Sequence, residues 1–317
     1  MTSGTDAQLS ELRDHVRAGM PRVRADLAEL VAFRSIADPE QAPASECRSA
    51  AMWVRDAFRD AGVADAELHE TSDGSAAVIG RRPAADGAPT VLLYSHYDVQ
   101  PAGDESLWDS PPFELTDRNG RWFGRGSADC KGNVLMHLAA LRALGSGSEV
   151  GLVVVCEGSE ETGTGGLEDL VHDRPELFAA DVIVIGDTGN VAVGTPTLTT
   201  SLRGMAIVRV DVETLHGAVH SGMYGGPAPD ALVALVAMLA TLHDDNGDTT
   251  IDGVDGSGVW DGAEYPVDRF RVDAGVLDGV ELTGTGSIAD HLWARPSVTV
   301  MGIDCPPVVG SAAAVVP

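Results

Sequence analysis

The sequence predicts an α/β fold, with a mostly parallel central sheet flanked by helices, followed by a second, smaller α+β domain. Three observations carry that expectation. Unbroken apolar runs at residues 90–94, 151–156 and 182–185 suit strands buried on both faces of a parallel sheet. Helical periodicity over about residues 133–144 lies between the first two runs, as a crossover connection requires. Beyond residues 197–203 the texture changes to apolar and polar residues in alternation, the mark of half-exposed strands. The expected division is therefore 1–199 and 200–317.

Taken in order, residues 7–31 place Leu9, Leu12, Val16, Val23, Leu27 and Leu30 at helical spacing, and Pro21 predicts a break into two amphipathic helices. A third helix is expected over about 45–61, with Cys47, Ala51, Val54 and Phe58 on one stripe and Gly62 as its stop. A short strand at 76–80 and a loop at 81–89 lead into the central strand. Residues 101–120 read as a long irregular segment, rich in Pro, Asp and Ser, of the kind that lines a site. In the second domain, strands are expected at 206–213 and 297–303. A helix is expected over 229–243, with Leu232, Leu235, Leu239 and Leu242 on one side, and an Asp- and Gly-rich loop at 244–258.

Composition narrows the partners. The formal charge is −27 and Lys131 is the only lysine, which argues against nucleic-acid and anionic-membrane partners, since both need clustered cations. No apolar run reaches the length that spans a bilayer, and the N-terminus lacks the features of a signal peptide, so a cytoplasmic location is expected. Cys47, Cys130, Cys156 and Cys305 have no Cys-x-x-Cys spacing and read as reduced thiols.

Chemistry gathers at the strand ends. His96 and Asp98 follow the first run and share a face of extended chain, so Asp98 can take one ring N–H of His96 while the other nitrogen holds a metal. Asp129 precedes a helix, Glu160 and Glu161 follow the second run, and Asp187 follows the third. Each alone has an ordinary explanation: a satisfied buried histidine, a helix cap, a solvated acidic loop. Together, His96, Asp129, Glu161 and Asp187 supply an imidazole and three carboxylates at one sheet edge, a set suited to two divalent ions. Glu160 is then free to act as a base, and the reaction class is metal-assisted hydrolysis of an amide.

The motifs His96-Tyr97-Asp98, the run from Gly124 to Gly132, the run from Glu157 to Gly163, and Gly186-Asp187 resemble, in order and spacing, those of the M20 metallopeptidase family, in particular its dipeptidase branch, which includes carnosine dipeptidases. The resemblance implies that Asp129 bridges two zinc ions (Mn2+ or Co2+ as alternatives), followed by a cis peptide bond. His96 and Asp187 complete one ion, and Glu161 binds the other. Asp98 orients His96, while Glu160 is general base and then proton donor to the leaving amine. His220 matches a lid histidine that polarises the scissile carbonyl, often across a dimer interface; His216 does not fit that motif, and Arg203 reads as structural. The resemblance further implies a ferredoxin-like lid, a homodimer through it, and a small peptide substrate. An N-acyl amino acid deacylase, a carboxypeptidase of the same family, or an inactive metal- or peptide-binding fragment are its alternatives. Members of the family continue further and supply a late histidine to the second ion; none follows His291 here, so an incomplete chain is expected.

Overall fold

The computed structural model describes residues 2–310 and 312–317. They fall into two compact units, and the chain passes from the first to the second between Thr199 and Thr200. In the first, α1 (Thr2–Ala32) runs unbroken through Pro21 where two helices were expected. Proline removes one N–H and frees the carbonyl of Arg17, but both residues are exposed, which leaves that carbonyl on the solvent side where the helix tolerates its loss. Its later turns bury Val23, Leu27, Leu30 and Val31. The next helix, α2 (Ala44–Asp60), buries Ala50, Ala51, Val54, Ala57 and Phe58, and the chain leaves it through Gly62 at φ 96°.

Strands β1 (Glu67–Glu70), β2 (Ala76–Arg82) and β3 (Thr90–His96) follow. Within the segment expected to be irregular, β4 (Thr116–Arg118) and β5 (Arg121–Phe123) form a small hairpin. Its turn is Asn119-Gly120, both at positive φ, the strongest short hairpin signal a sequence carries. After it come α3 (Lys131–Leu144), β6 (Gly151–Glu157), α4 (Gly166–Asp173) and β7 (Val182–Ile185).

The five-stranded sheet has the order β1-β2-β6-β3-β7. β3 runs parallel to both of its neighbours, while β2 pairs antiparallel with β6 and with β1, so the sheet is mixed. Its parallel half carries the chemistry. Leu135, Leu138 and Leu141 of α3, with Val54 and Phe58 of α2 and Leu30 of α1, pack against Val78, Val154 and Cys156. The third run is not buried as expected: β7 has hydrogen-bonded neighbours on one side only, and its four side chains are 39–61% exposed. Apolar composition marks a strand but does not distinguish the centre of a sheet from its edge.

The second unit holds β8 (Val219–His220), α5 (Ser221–Tyr224), α6 (Ala231–Ala240), α7 (Val267–Asp273) and β9 (Ala314–Val315), with a π-turn at Asp290–Ala294. Residues 206–213 and 297–303 are not strands among the described residues. Their alternation is real, but neither segment finds a ladder partner, and Ile207, Val208 and Met301 stand exposed. Among the described residues, pairing in this unit is confined to β8 with β9 and a single bridge between His243 and Thr249. It carries a partly exposed aromatic cluster in which Trp293 packs on Trp260 and Tyr265, and Tyr265 on Phe270. Among the described residues no helix is long and apolar enough to cross a membrane.

Candidate metal centre

Strand register brings the reactive ends together. His96 pairs with Glu157 across β3 and β6, and Tyr94 pairs with Ile185 across β3 and β7. Gly186 N donates to Tyr94 O at 2.8 Å, so Asp187 emerges level with His96. Asp129 arrives from the start of α3. The Asp129–Cys130 peptide is cis, and the buried Cys130 thiol donates to Gly186 O at 2.9 Å, which ties the approach to α3 to the end of β7. The only lysine serves the same approach: Lys131 is fully buried and its Nζ donates to Phe33 O at 2.7 Å. Burial pushes its pKa down to about 7.

Three carboxylates converge on one buried nitrogen. His96 Nε2 lies 3.1 Å from Asp129 Oδ1, 3.4 Å from Asp187 Oδ1 and 3.8 Å from Glu160 Oε2. Glu161 belongs to the same group, since one donor atom each from His96, Asp129 and Glu161 lie within 4.8 Å of one another. His96 and Asp187 form a comparable trio with Cys130. The Asp129 side chain is 71% exposed, and a groove of about 780 Å³ between α1 and α3 reaches Asp129 and Asp187, so the centre is open to small solutes.

The buried Asp98 does more than face the imidazole. His96 Nδ1 is 3.0 Å from Asp98 O and 3.2 Å from its Oδ1, while the two carboxylate oxygens accept from Glu160 N at 3.2 Å and Glu161 N at 3.0 Å. One side chain thus orients the imidazole and the backbone of both glutamates. Two further residues escaped the sequence reading. Gln100 Nε2 donates to Glu161 O at 3.0 Å and to Glu161 Oε2 at 2.9 Å. Tyr94 Oη donates to Glu157 Oε2 at 2.7 Å. Tyr94 shares the face of His96 by the two-residue period of a strand, a signal that was available; nothing local marks Gln100. By contrast, His137, buried under the sheet, is spent on Tyr94 O at 2.9 Å.

Electrostatics favour a cation here. Burial works against a charged imidazole, but hydrogen bonds to Asp187, Asp98 and Cys130 outweigh it and raise the His96 pKa. Glu160 is also raised, first by burial and then by Asp187, Glu161 and Asp98, with His96 pulling the other way. Burial, with Asp98 and Glu160 adding to it, lifts Glu157 to about 7 against the opposing hydrogen bond from Tyr94. Among the described residues, His96 is the only cationic group paired with Asp129, Glu160 or Asp187. So much negative charge around one imidazole fits a site for divalent cations, and the N and O donors suit zinc, manganese or cobalt.

His220 belongs to the second unit. It is exposed, and its Nδ1 accepts from Gly222 N at 3.0 Å. Arg203 donates to His291 O, Arg295 O and Ser297 Oγ, each at 3.4 Å, which is a structural use.

A family model described as peptidase family M20/M25/M40 matches residues 92–294, more than half of the chain. The chain belongs to this family. It is 50% identical over 293 residues to a cysteinylglycine-S-conjugate dipeptidase of Corynebacterium striatum, covering 90% of this chain and 64% of that protein. It is 34% identical over 242 residues to a Cys-Gly metallodipeptidase of Schizosaccharomyces pombe, covering 72% of this chain and 51% of that protein. The chain therefore spans less than two thirds of the length of these two M20 relatives. The crystal structure of human carnosine dipeptidase 1 has the same fold, with a TM-score of 0.66 at 24% identity over 97% of this chain and 70% of that one.

Proposed function

We propose that this M20 chain carries the centre of a binuclear zinc hydrolase that cleaves dipeptides, with Cys-Gly compounds as the first substrate class to test. The convergence of three carboxylates on the buried His96 Nε2, with no other cation paired to them among the described residues, carries the reading. In it, Asp129 would be shared between two ions, His96 and Asp187 would help to hold one, and Glu161 would help to hold the other. When bound, divalent ions supply Lewis acidity that polarises a carbonyl and lowers the pKa of water from ~15.7 towards ~7.

The rest is done by the chain. Asp98 keeps His96 Nε2 turned to the ion and holds the amides of Glu160 and Glu161, so base and ligand keep a fixed separation. Glu160 takes a proton from the attacking water and returns it to the leaving amine; its raised pKa brings it closer to the operating pH, where proton transfer is most efficient. His220 polarises the scissile carbonyl and residues 200–317 serve as the lid through which a second copy docks. The exposed Met205, Ile207 and Val208 supply apolar surface for that contact. Four unpaired thiols fit a reducing, cytoplasmic setting.

The test is elemental mass spectrometry of the purified chain, joined to release of free amine from Cys-Gly, β-Ala-His and an N-acetyl amino acid. Two ions per chain with dipeptide hydrolysis support the reading. Two ions with hydrolysis of the acyl amino acid alone move it to a deacylase, and metal uptake with no hydrolysis makes the chain a binding fragment. Sedimentation velocity reads the dimer: a monomer at micromolar concentration removes that part.

A further inference from the structure

The short loop that carries both glutamates is held from two sides. Asp98, two residues beyond the end of β3, holds it through the amides of Glu160 and Glu161. The second hold comes from Asp73, in the turn that joins β1 to β2, and its carboxylate has two distinct halves. Oδ1 accepts from Thr71 Oγ1 at 2.6 Å and from Ser75 N at 3.0 Å, which shapes the turn itself. Oδ2 looks away from the turn and accepts from Ser159 Oγ at 2.7 Å and from Thr164 Oγ1. Those two hydroxyls bracket Glu160 and Glu161 in the chain.

Other contacts press the loop onto the same turn. Ser75 Oγ donates to Ser159 Oγ at 3.0 Å, and Thr162 Oγ1 donates to Ser159 O at 2.9 Å, closing the loop on itself. Ser159 is 4% exposed. A Cβ on Gly166 would collide with the Asp73 carboxylate, and one on Gly158 with the Tyr97 hydroxyl, so both ends of the loop approach their supports as closely as backbone allows. Partial burial acts to raise the Asp73 pKa, but hydrogen bonds from Thr164, Thr71, Ser159 and Ser75 outweigh it and hold the carboxyl well below the usual carboxylate range. It accepts these bonds as an anion, the stronger form of acceptor.

We infer that Asp73 is a positioning residue, which sets the places of Glu160 and Glu161 by holding the hydroxyls of Ser159 and Thr164 on either side of them. The inference rests on the reading of Glu161 as a metal ligand and Glu160 as base. Asp73 touches neither ion nor substrate; it acts through the loop, from 86 and 91 residues away in the chain. Outer-shell groups of this kind typically change metal affinity by about 10–100-fold when removed.

Cobalt titration of the metal-free 317-residue chain tests it, followed by visible d–d absorption and by calorimetry, with thermal melting as the control for folding. Asp73→Ala is compared with the pair Ser159→Ala/Thr164→Val, which removes only the two hydroxyls and leaves the turn's own bonds in place. The expected result is an affinity for the weaker Co2+ about tenfold lower in each, with an altered d–d spectrum. Combining all three substitutions should be no worse than either set alone, because both cut one link. Folded variants that bind Co2+ with the unsubstituted affinity and spectrum would overturn the inference and leave Asp73 as a staple of its turn. Should Asp73→Ala fail to fold, the Ser159→Ala/Thr164→Val pair decides on the same criteria. An unsubstituted chain that takes up no Co2+ removes the metal centre itself, and the inference with it.

Discussion

Residues 1–199 and 200–317 use similar apolar residues to opposite effect. In the first unit, β3 and β6 found partners on both edges, and Val153 and Val154 of β6 are fully buried. In the second, residues 206–213 alternate as cleanly as any strand, yet they form no strand and stay mostly exposed, with Val208 at 78%. Alternation of apolar and polar residues is a demand for a neighbour, not a structure in itself. Where a neighbour completes the hydrogen bonds, a strand and a buried face result; where none does, the same pattern remains open chain.

The largest expected effect probes whether the chemistry lies in the first unit. Glu160→Gln should slow dipeptide hydrolysis by about 10²–10⁴-fold, the usual weight of a general base, with the bound-metal content unchanged. Initial rates and elemental analysis check it, and an unaltered rate would remove Glu160 from the mechanism. Stability should divide in the same way. Leu138→Ala, at a fully buried site in α3, should cost about 2–5 kcal/mol in urea denaturation, whereas Val208→Ala should stay within about 0.5 kcal/mol. Equal losses would erase the contrast between the units.

Limited trypsin digestion sharpens the comparison further. First cuts are expected after Arg203 and Arg209, both exposed in chain without regular structure, leaving a resistant fragment that contains 1–199. Early cuts within β2 or α3, read by mass spectrometry, would show the first unit to be the weaker one. The smallest effect concerns acid. Hydrogen bonds from Ser287 N and Trp260 N, with one from the Ser287 hydroxyl, hold the buried Asp290 down at about 2, below the ordinary ~3.9. Between those values the unfolded chain binds the extra proton, so this stabilisation is present above about pH 4 and is lost as the pH falls towards 2. Asp290→Asn should flatten that limb of the acid transition, followed by tryptophan fluorescence; an unchanged slope would separate Asp290 from it.

Much of the first unit was legible. The apolar runs at β3 and β6 marked buried strands, and His96, Asp129, Glu161 and Asp187 were read as a set from their places at strand and helix ends. Pro21 misled, because its freed carbonyl faces water and the helix tolerates it. The Asn119-Gly120 turn was legible and went unread. Asp73 was not legible at all: its partners Ser159 and Thr164 lie 86 and 91 residues away, and no local pattern points so far.

What the sequence determined by itself was local: the period of each element, and which chemical groups end which strand, since both depend on residues within a few positions of one another. Strand order was left to the tertiary structure. It placed β3 between β6 and β7, set Asp98 beneath the amides of Glu160 and Glu161, and left β7 at the edge. Those outcomes depend on how all the apolar faces pack together and on which backbone groups find partners, a sum over the whole chain that no short stretch encodes.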